Sequence, residues 1–246
     1  EVRTHTGARA LVKHVHCTLS STHPDAGRIL LVRPWLTYEP LACTPSHEVW
    51  TRKGWTRADA LRPGDYLGVP RRKFLGTRTT LALPVLVSKG RGLRPITGEV
   101  PLDREVGFAV GHYLAEGTVS CQSTAPYHPK HVTITHHVDE QAFADRTIAA
   151  CRPWMTSART THKAGTLTGI TTLCGASLAA WFLQEFGATE TKRIPEWIFE
   201  APAEFAEGVV LGYCAGDGSK TNDSHLTITS VRARLLSQCR AVLAAR

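Results

Sequence analysis

Two acidic residues of this 246-residue chain occupy the same place in two similar stretches: Glu116 in GHYLAEGT (111–118) and Asp217 in GYCAGDGS (212–219). Each closes a helical pattern and is followed at once by glycine. A helix C-terminus already carries partial negative charge, so an acid placed there is electrostatically unfavourable unless a cation is near. Two carboxylates at adjoining helix ends repel each other and both dipoles. Divalent cations held between them remove that penalty, and oxygen ligands favour Mg²⁺ over softer ions.

The acids belong to an internal repeat. Gly107, Gly111, Ala115, Glu116 and Gly117 recur as Gly208, Gly212, Gly216, Asp217 and Gly218, each 101 positions later. Both copies continue into a strand and then a helix, HVTIT before DEQAFADRTIAACR and HLTITS before VRARLLSQCRAVLAAR. Positions four apart share one face of a helix. Glycine inside a helix costs about 1 kcal/mol relative to alanine, and close backbone packing of two helices is the natural compensation. The two stripes are therefore expected to face each other, which brings Glu116 and Asp217 side by side. Gly117 and Gly218 fit left-handed residues just past the helix ends.

The rest of the chain must position that pair. Lys plus Arg exceed Asp plus Glu by 29 to 21, a formal net charge of +8, and only eight of the 29 are lysines. Arginine's planar fork suits phosphate and guanine edges, so a nucleic acid is the expected partner. The seven cysteines are scattered singly without a CxxC pair, the pattern of reduced thiols in an intracellular, cytoplasmic protein rather than of zinc or disulfides. No apolar run approaches 18 residues, so no membrane span is expected. Residues 1–75 alternate β-like runs (10–15, 29–33, 47–51, 66–69) with turn signals. Residues 76–102 are rich in Gly and Pro and read as a basic connection or DNA-contact loop. From residue 103 onward helical patterns dominate, which makes the chain α+β.

The pair VGHYLAEG and LGYCAGDG resembles the two signature helices of LAGLIDADG homing endonucleases. CTPSHEVWTRKGWTRADALRPGDYLGVPR (43–71) is similar to the TxxH-containing block of a Hint domain, the protein-splicing fold of inteins. Together they imply an intein carrying an endonuclease. Its parts would be the N-terminal portion of the Hint domain (1–75), the basic linker (76–102), a first LAGLIDADG repeat (103–205) and the start of a second (206–246). The resemblance further implies residues missing before Glu1 and a second repeat cut short at Arg246.

By the same resemblance Glu116 and Asp217 are metal-binding acids, one for each DNA strand. They would help hold Mg²⁺, which activates a water and stabilises the phosphorane and the leaving 3′ oxygen. Lys192 in KRIPEW matches a basic residue that the family places near the scissile phosphate. Family members lay antiparallel sheets in the major groove, so TVSCQS (118–123) and HVTITHH (131–137) should contribute, with Lys130, His131, Lys220 and Arg91 near phosphates. Thr44 and His47 match the pair that polarises the N-terminal junction amide in inteins, where an imidazole protonates the departing nitrogen. Asp65 reads as a turn residue, and His131, His136 and His137 as strand histidines near phosphate or solvent. The implied partners are double-stranded DNA and, in cis, the flanking extein host protein, with the chain acting as a monomer. Splicing needs a first-residue nucleophile and a terminal His-Asn pair, so this chain alone is not expected to splice, and little cutting is expected of it. The alternatives are a Hint autoprocessing module with a decayed endonuclease, and a DNA-binding remnant with both activities lost.

Overall fold

The computed structural model describes residues 2–3, 9–10, 25, 27–34, 40–68, 72–86, 96–121, 128–222 and 225–245. The chain divides into two compact units, Glu1–Arg72 and Lys73–Arg246.

The first unit consists of antiparallel two-stranded pairs. β1 (Val2–Arg3) pairs with β2 (Arg9–Ala10), β3 (Leu30–Val32) with β4 (Leu41–Cys43), and β5 (Glu48–Thr51) with β6 (Gly54–Arg57). Gly54 takes the positive φ of 96° that the tight β5–β6 turn requires. The hairpin is stapled by the cross-strand pair Trp50–Trp55, whose rings meet edge to face at 5.3 Å. Among the described residues of the strand expected at 66–69, the pairing is one bridge between Thr51 and Leu67. The chain has just left the Pro63-Gly64 turn, which Asp65 closes by accepting from the Arg62 N–H at 2.8 Å. Of the strand expected at 10–15, all but its first residue lies outside the described residues.

The second unit holds the repeat. β7 (Thr80–Ala82) and β8 (Glu99–Pro101) form an antiparallel hairpin, with Leu83, Val100 and Leu102 buried in the unit's core. The described parts of 76–102 thus pack into this unit, while the basic stretch 88–94 lies outside the described residues. There follow α1 (Arg104–Glu116), β9 (Gly117–Cys121), β10 (Pro129–His137), α2 (Gln141–Cys151), β11 (Ser157–His162), β12 (Thr168–Cys174), α3 (Ala176–Phe186), α4 (Ala203–Asp217), β13 (Gly218–Asn222), β14 (His225–Ile228) and α5 (Ala233–Ala244). β9 to β12 make one antiparallel sheet in the order β11-β12-β10-β9. α3 is apolar almost all round, and Leu178, Trp181, Phe182 and Phe186 are buried in the core that the sheet and helices share.

α1 and α4 pack through their glycines. A side chain on Gly107 would strike the carbonyl oxygen of Phe205, and one on Gly208 that of Arg104. One on Gly111 would strike the carbonyl oxygen of Val209, and one on Gly212 that of Phe108. The contacts exchange under the sequence offset, since 104 maps to 205 and 108 to 209, so a local two-fold axis relates the helices. The offset also extends upstream, where Glu99, Val100 and Pro101 match Glu200, Ala201 and Pro202. Asp103 starts α1 by accepting from the Val106 N–H at 2.8 Å.

Gly117 and Gly218 are not left-handed. They sit at φ −86° and −96°, extended backbone, and run straight into β9 and β13. Glycine is needed there for closeness: a side chain on Gly117 would strike the Tyr113 ring, and one on Gly218 the Cys214 carbonyl.

His136 is 4 % exposed, not at phosphate or solvent as expected. Strand register puts it on the same inward face of β10 as Val132 and Ile134, with its ring against the cross-strand Gly169. Its Nδ1 lies 2.9 Å from the His137 carbonyl, so that nitrogen carries the hydrogen, and Nε2 accepts from the Thr171 hydroxyl at 3.0 Å. On α1, His112 is 1 % exposed and its Nδ1 donates to Thr147 Oγ1 at 2.9 Å, because that hydroxyl's own hydrogen goes to the Phe143 carbonyl. Burial, then neighbouring His136, pushes His112 down to about 4.

Two outcomes are expected. Gly212→Ala should destabilise the protein by roughly 1–3 kcal/mol in chemical denaturation despite alanine's better helix propensity, because the added methyl forces the helix backbones apart. An unchanged midpoint overturns the packing argument. His112 binds its proton in the unfolded chain near its ordinary value of 6.5 and in the fold only near 4. Stability should therefore be full above pH ~6.5 and decline by about 3 kcal/mol as pH falls towards 4, and His112→Asn should flatten that slope in pH-dependent melts.

Candidate active site

The twinned helices deliver both acids to one spot. Glu116 and Asp217 are the last residues of α1 and α4, and Gly216 lies against the first acid's stem: a side chain added there would fall 2.8 Å from Glu116 Cγ. Burial, then the neighbouring carboxylates of Asp217 and Glu140, raises the Glu116 pKa, while Lys192 opposes the shift. Such a shift marks a carboxylate short of positive charge.

Lys192 comes to the same place from a distant loop. It is only 6 % exposed, and its Nζ donates to the carbonyls of Leu114 at 3.0 Å and Ala115 at 3.4 Å, capping the orphan carbonyls of α1. The ammonium also lies 5.3 Å from the centre of the Tyr113 ring. Burial, then nearby Arg232, brings its pKa down to about 8 against the pull of Asp217 and Glu116. On α4, burial is the main force keeping the Tyr213 phenol protonated, with Asp217 adding to it.

No three or more His, Cys, Asp or Glu residues converge as a closed metal cage among the described residues. A carboxylate pair with open surroundings suits Mg²⁺ better, since that ion is held by one or two carboxylates plus substrate phosphates.

The four-stranded sheet turns its inner face to the core and an outer polar face away from it. Cross-strand partners share a face. One outer row is Arg159, Thr172, Thr133 and Thr118; the next is Ser157, Cys174, His131 and Ser120. Thr161, Ile170 and Thr135 follow, then Thr168 and His137. Hydroxyls that both donate and accept dominate this face, and none of these residues is acidic. Strands β9 and β10 supply half of it, as expected from 118–123 and 131–137. β11 and β12 supply the other half; alternation through SARTTH and TGITTLC, joined by the Ala164-Gly165 turn, was the signal for them.

The remaining expected residues are dispersed. His131 lies in the second outer row, and neighbouring Lys130 is exposed beside the irregularity that shifts β10 against β9. Lys220 is three residues beyond Asp217 in β13, opposite Leu226, and its side chain is outside the described residues, as is all of Arg91. Thr44 and His47 belong to the Glu1–Arg72 unit, where the His47 N–H donates to the Thr44 carbonyl at 3.0 Å and closes one turn. Asp25 accepts from the Ser46 N–H at 2.9 Å and steadies that turn. No described helix is long and apolar enough to cross a membrane.

No protein-family model matches the chain. It is 29% identical over 160 residues to the DNA-directed RNA polymerase subunit Rpo1C of Methanocaldococcus jannaschii, covering 62% of this chain and 17% of that protein. It is 47% identical over 45 residues to the probable translation initiation factor IF-2 of Pyrococcus abyssi, covering 18% of this chain and 4% of that one. The chain thus spans a small part of the curated relatives it matches. Among solved structures, a variant of I-DmoI in complex with its target DNA has a TM-score of 0.45 at 14% identity, over 58% of this chain and 75% of that one. The LAGLIDADG meganuclease I-AabMI bound to uncleaved DNA has a TM-score of 0.24 at 12% identity, over 44% and 34%.

The electrostatics of the pair give a direct test. A carboxyl whose folded pKa is raised loses stability as pH rises from its ordinary value through the folded one. Asp217→Asn removes one source of that rise. In metal-free buffer at pH 7–8 the variant should melt about 2–4 °C above the native protein, and millimolar Mg²⁺ should raise the native Tm but not the variant's. A native protein indifferent to Mg²⁺ overturns the cation-site assignment.

Proposed function

We propose that the protein is a LAGLIDADG-type endonuclease that makes site-specific, divalent-metal-dependent cuts in double-stranded DNA. The observation that carries this reading is the convergence of Glu116, Asp217 and the buried Lys192 where two glycine-packed helices end, at the sharp end of a two-fold axis. A DNA duplex has its own two-fold symmetry, so one acid can face each scissile phosphate. The outer sheet face supplies a hydroxyl-rich surface free of acids that suits the major groove.

Each role follows from chemistry. Glu116 and Asp217 would hold Mg²⁺, which when bound supplies an activated water and charge stabilisation for hydrolysis. Lys192, fixed by the α1 carbonyls, brings a positive charge to the phosphate that the acids would otherwise repel. Arg159, with the threonines of its row, orients the duplex by contacts to phosphates or base edges. Lys130, His131, Lys220 and Arg91 remain proposed phosphate contacts.

We further propose that the endonuclease is embedded in a protein-splicing element, with the Glu1–Arg72 unit as part of a Hint domain and Thr44 and His47 at its junction-activating turn. In support, the chain matches short portions of two proteins of unrelated function, a polymerase subunit and a translation factor, as an element inserted into different hosts would. The flanking extein would then be its partner in cis, and the DNA target the host gene lacking the insert.

Incubated with a randomised double-stranded DNA library and Mg²⁺, the protein should yield cut ends that share one recurring sequence. Glu116→Gln and Asp217→Asn should each lower the cleavage rate by about 100-fold or more while DNA affinity stays within about three-fold. Equal cleavage by either variant removes that acid from the mechanism, and the absence of any recurring site rules out the nuclease reading.

A further inference from the structure

Tyr113 of α1 is fully buried and still carries a hydroxyl. Burial raises its pKa, so the phenol keeps its hydrogen and donates it to the Gly187 carbonyl, in the loop that leaves α3. Its ring packs at 4.6 Å on Phe182 and lies 5.3 Å from the Lys192 ammonium. One side chain of α1 therefore touches both ends of the 187–192 loop. The twin helix carries Cys214 at the matching position, 101 residues later. Packing of α1 on α4 thus requires neither a ring nor a hydroxyl at that position.

That loop is held in an unusual shape. Gly187 has φ +74°, and a side chain on it would strike the Thr191 carbonyl oxygen. Thr189 sits at φ 43°, in the left-handed region that β-branched residues seldom enter. Thr191 folds the loop back: its hydroxyl donates to the Ala188 carbonyl at 2.8 Å and accepts from the Ala188 N–H at 3.0 Å. The Arg193 N–H closes the base on the Phe186 carbonyl at 2.8 Å. Strained backbone of this kind persists only where its surroundings fix it. Two anchors on α1 do so, the Tyr113 phenol at Gly187 and the Lys192 ammonium at the Leu114 and Ala115 carbonyls. A lysine stem is flexible, so its ammonium keeps one place only if its backbone is fixed.

We propose that Tyr113 is a positioning residue for Lys192: by binding the Gly187 carbonyl it fixes the loop that holds the ammonium on the Leu114 and Ala115 carbonyls. The positioning stands on these contacts; its effect on cleavage rests on the nuclease reading. Lys192 acts electrostatically on Glu116 and Asp217, so loss of the phenol hydroxyl should move a charge away from the acids while leaving the acids in place.

The first readout needs no DNA. A water-soluble N-hydroxysuccinimide ester acylates lysine amines, and mass spectrometry reads each site. Lys192 should react about 10-fold or more slowly than exposed Lys163 in the native protein, and Tyr113→Phe should speed Lys192 about three-fold or more. Val100→Ala, a truncation of a buried residue on β8, controls for general loosening and should speed it less. On the DNA site recovered from the library, Tyr113→Phe should lower kcat about 10-fold with DNA affinity within about three-fold. In a Lys192→Met background the same substitution should change kcat by less than about two-fold, since Tyr113 acts through the ammonium. Lys192 acylation in Tyr113→Phe no faster than in Val100→Ala overturns the positioning. A native kcat in Tyr113→Phe, or an equal loss of kcat in both backgrounds, does the same. Faster acylation in Tyr113→Phe with no DNA cleavage by the native protein keeps the positioning and removes the nuclease reading. Should Tyr113→Phe fail to fold, Gly187→Ala displaces the same carbonyl from the loop side and carries the same acylation outcomes.

Discussion

Everything at the candidate site depends on the backbone contact between α1 and α4. With Phe108 and Val209 carbonyls set against glycines of the opposite helix, no side chain can intervene and the helix axes have no freedom to slide. That contact forces two C-terminal dipoles and two carboxylates together, an arrangement electrostatics alone would reject. The surrounding core holds it in place: Val106, Val110, Tyr113, Phe205, Val209 and Tyr213 are all buried around the pair. Lys192 offsets part of the repulsion by bonding to the last carbonyls of α1. Charge strain at the site is thus held by packing elsewhere, as is common where function demands an unfavourable local arrangement.

The distribution of charge follows the same logic. Carboxylates at the site are confined to the helix ends, where cations are wanted, and the outer face of the sheet carries hydroxyls, histidines and Arg159 without an acid. The carboxylates nearest the rows of that face are Asp139 and Glu140, just past His137. At the helix ends Lys192 supplies positive charge beside the acids.

Much of this could be read from the chain before any coordinates. The five matched positions and the four-residue glycine spacing foretold facing helices and neighbouring acids, because helical period and the missing Cβ leave few other ways to recover glycine's cost. Alternation in HVTITHH foretold β10. It did not say that His136 points inward, because inward and outward differ by a one-residue register that β9 and β12 settle. The glycines after the acids were foretold for the wrong reason: their closeness to Tyr113 and Cys214, rather than their φ angles, excludes a side chain.

The sequence by itself determined the repeat, the two acids at its helix ends, the alternation of the main strands and the basic charge, because each is a local or periodic property of residue types. Tertiary structure decided the rest. Lys192 is a buried cap on a helix 78 residues earlier, β11 and β12 complete the outer face, and Tyr213 comes to lie beside Ser230 and Asp217. These depend on which distant groups share a small volume, and no local pattern of residues encodes that.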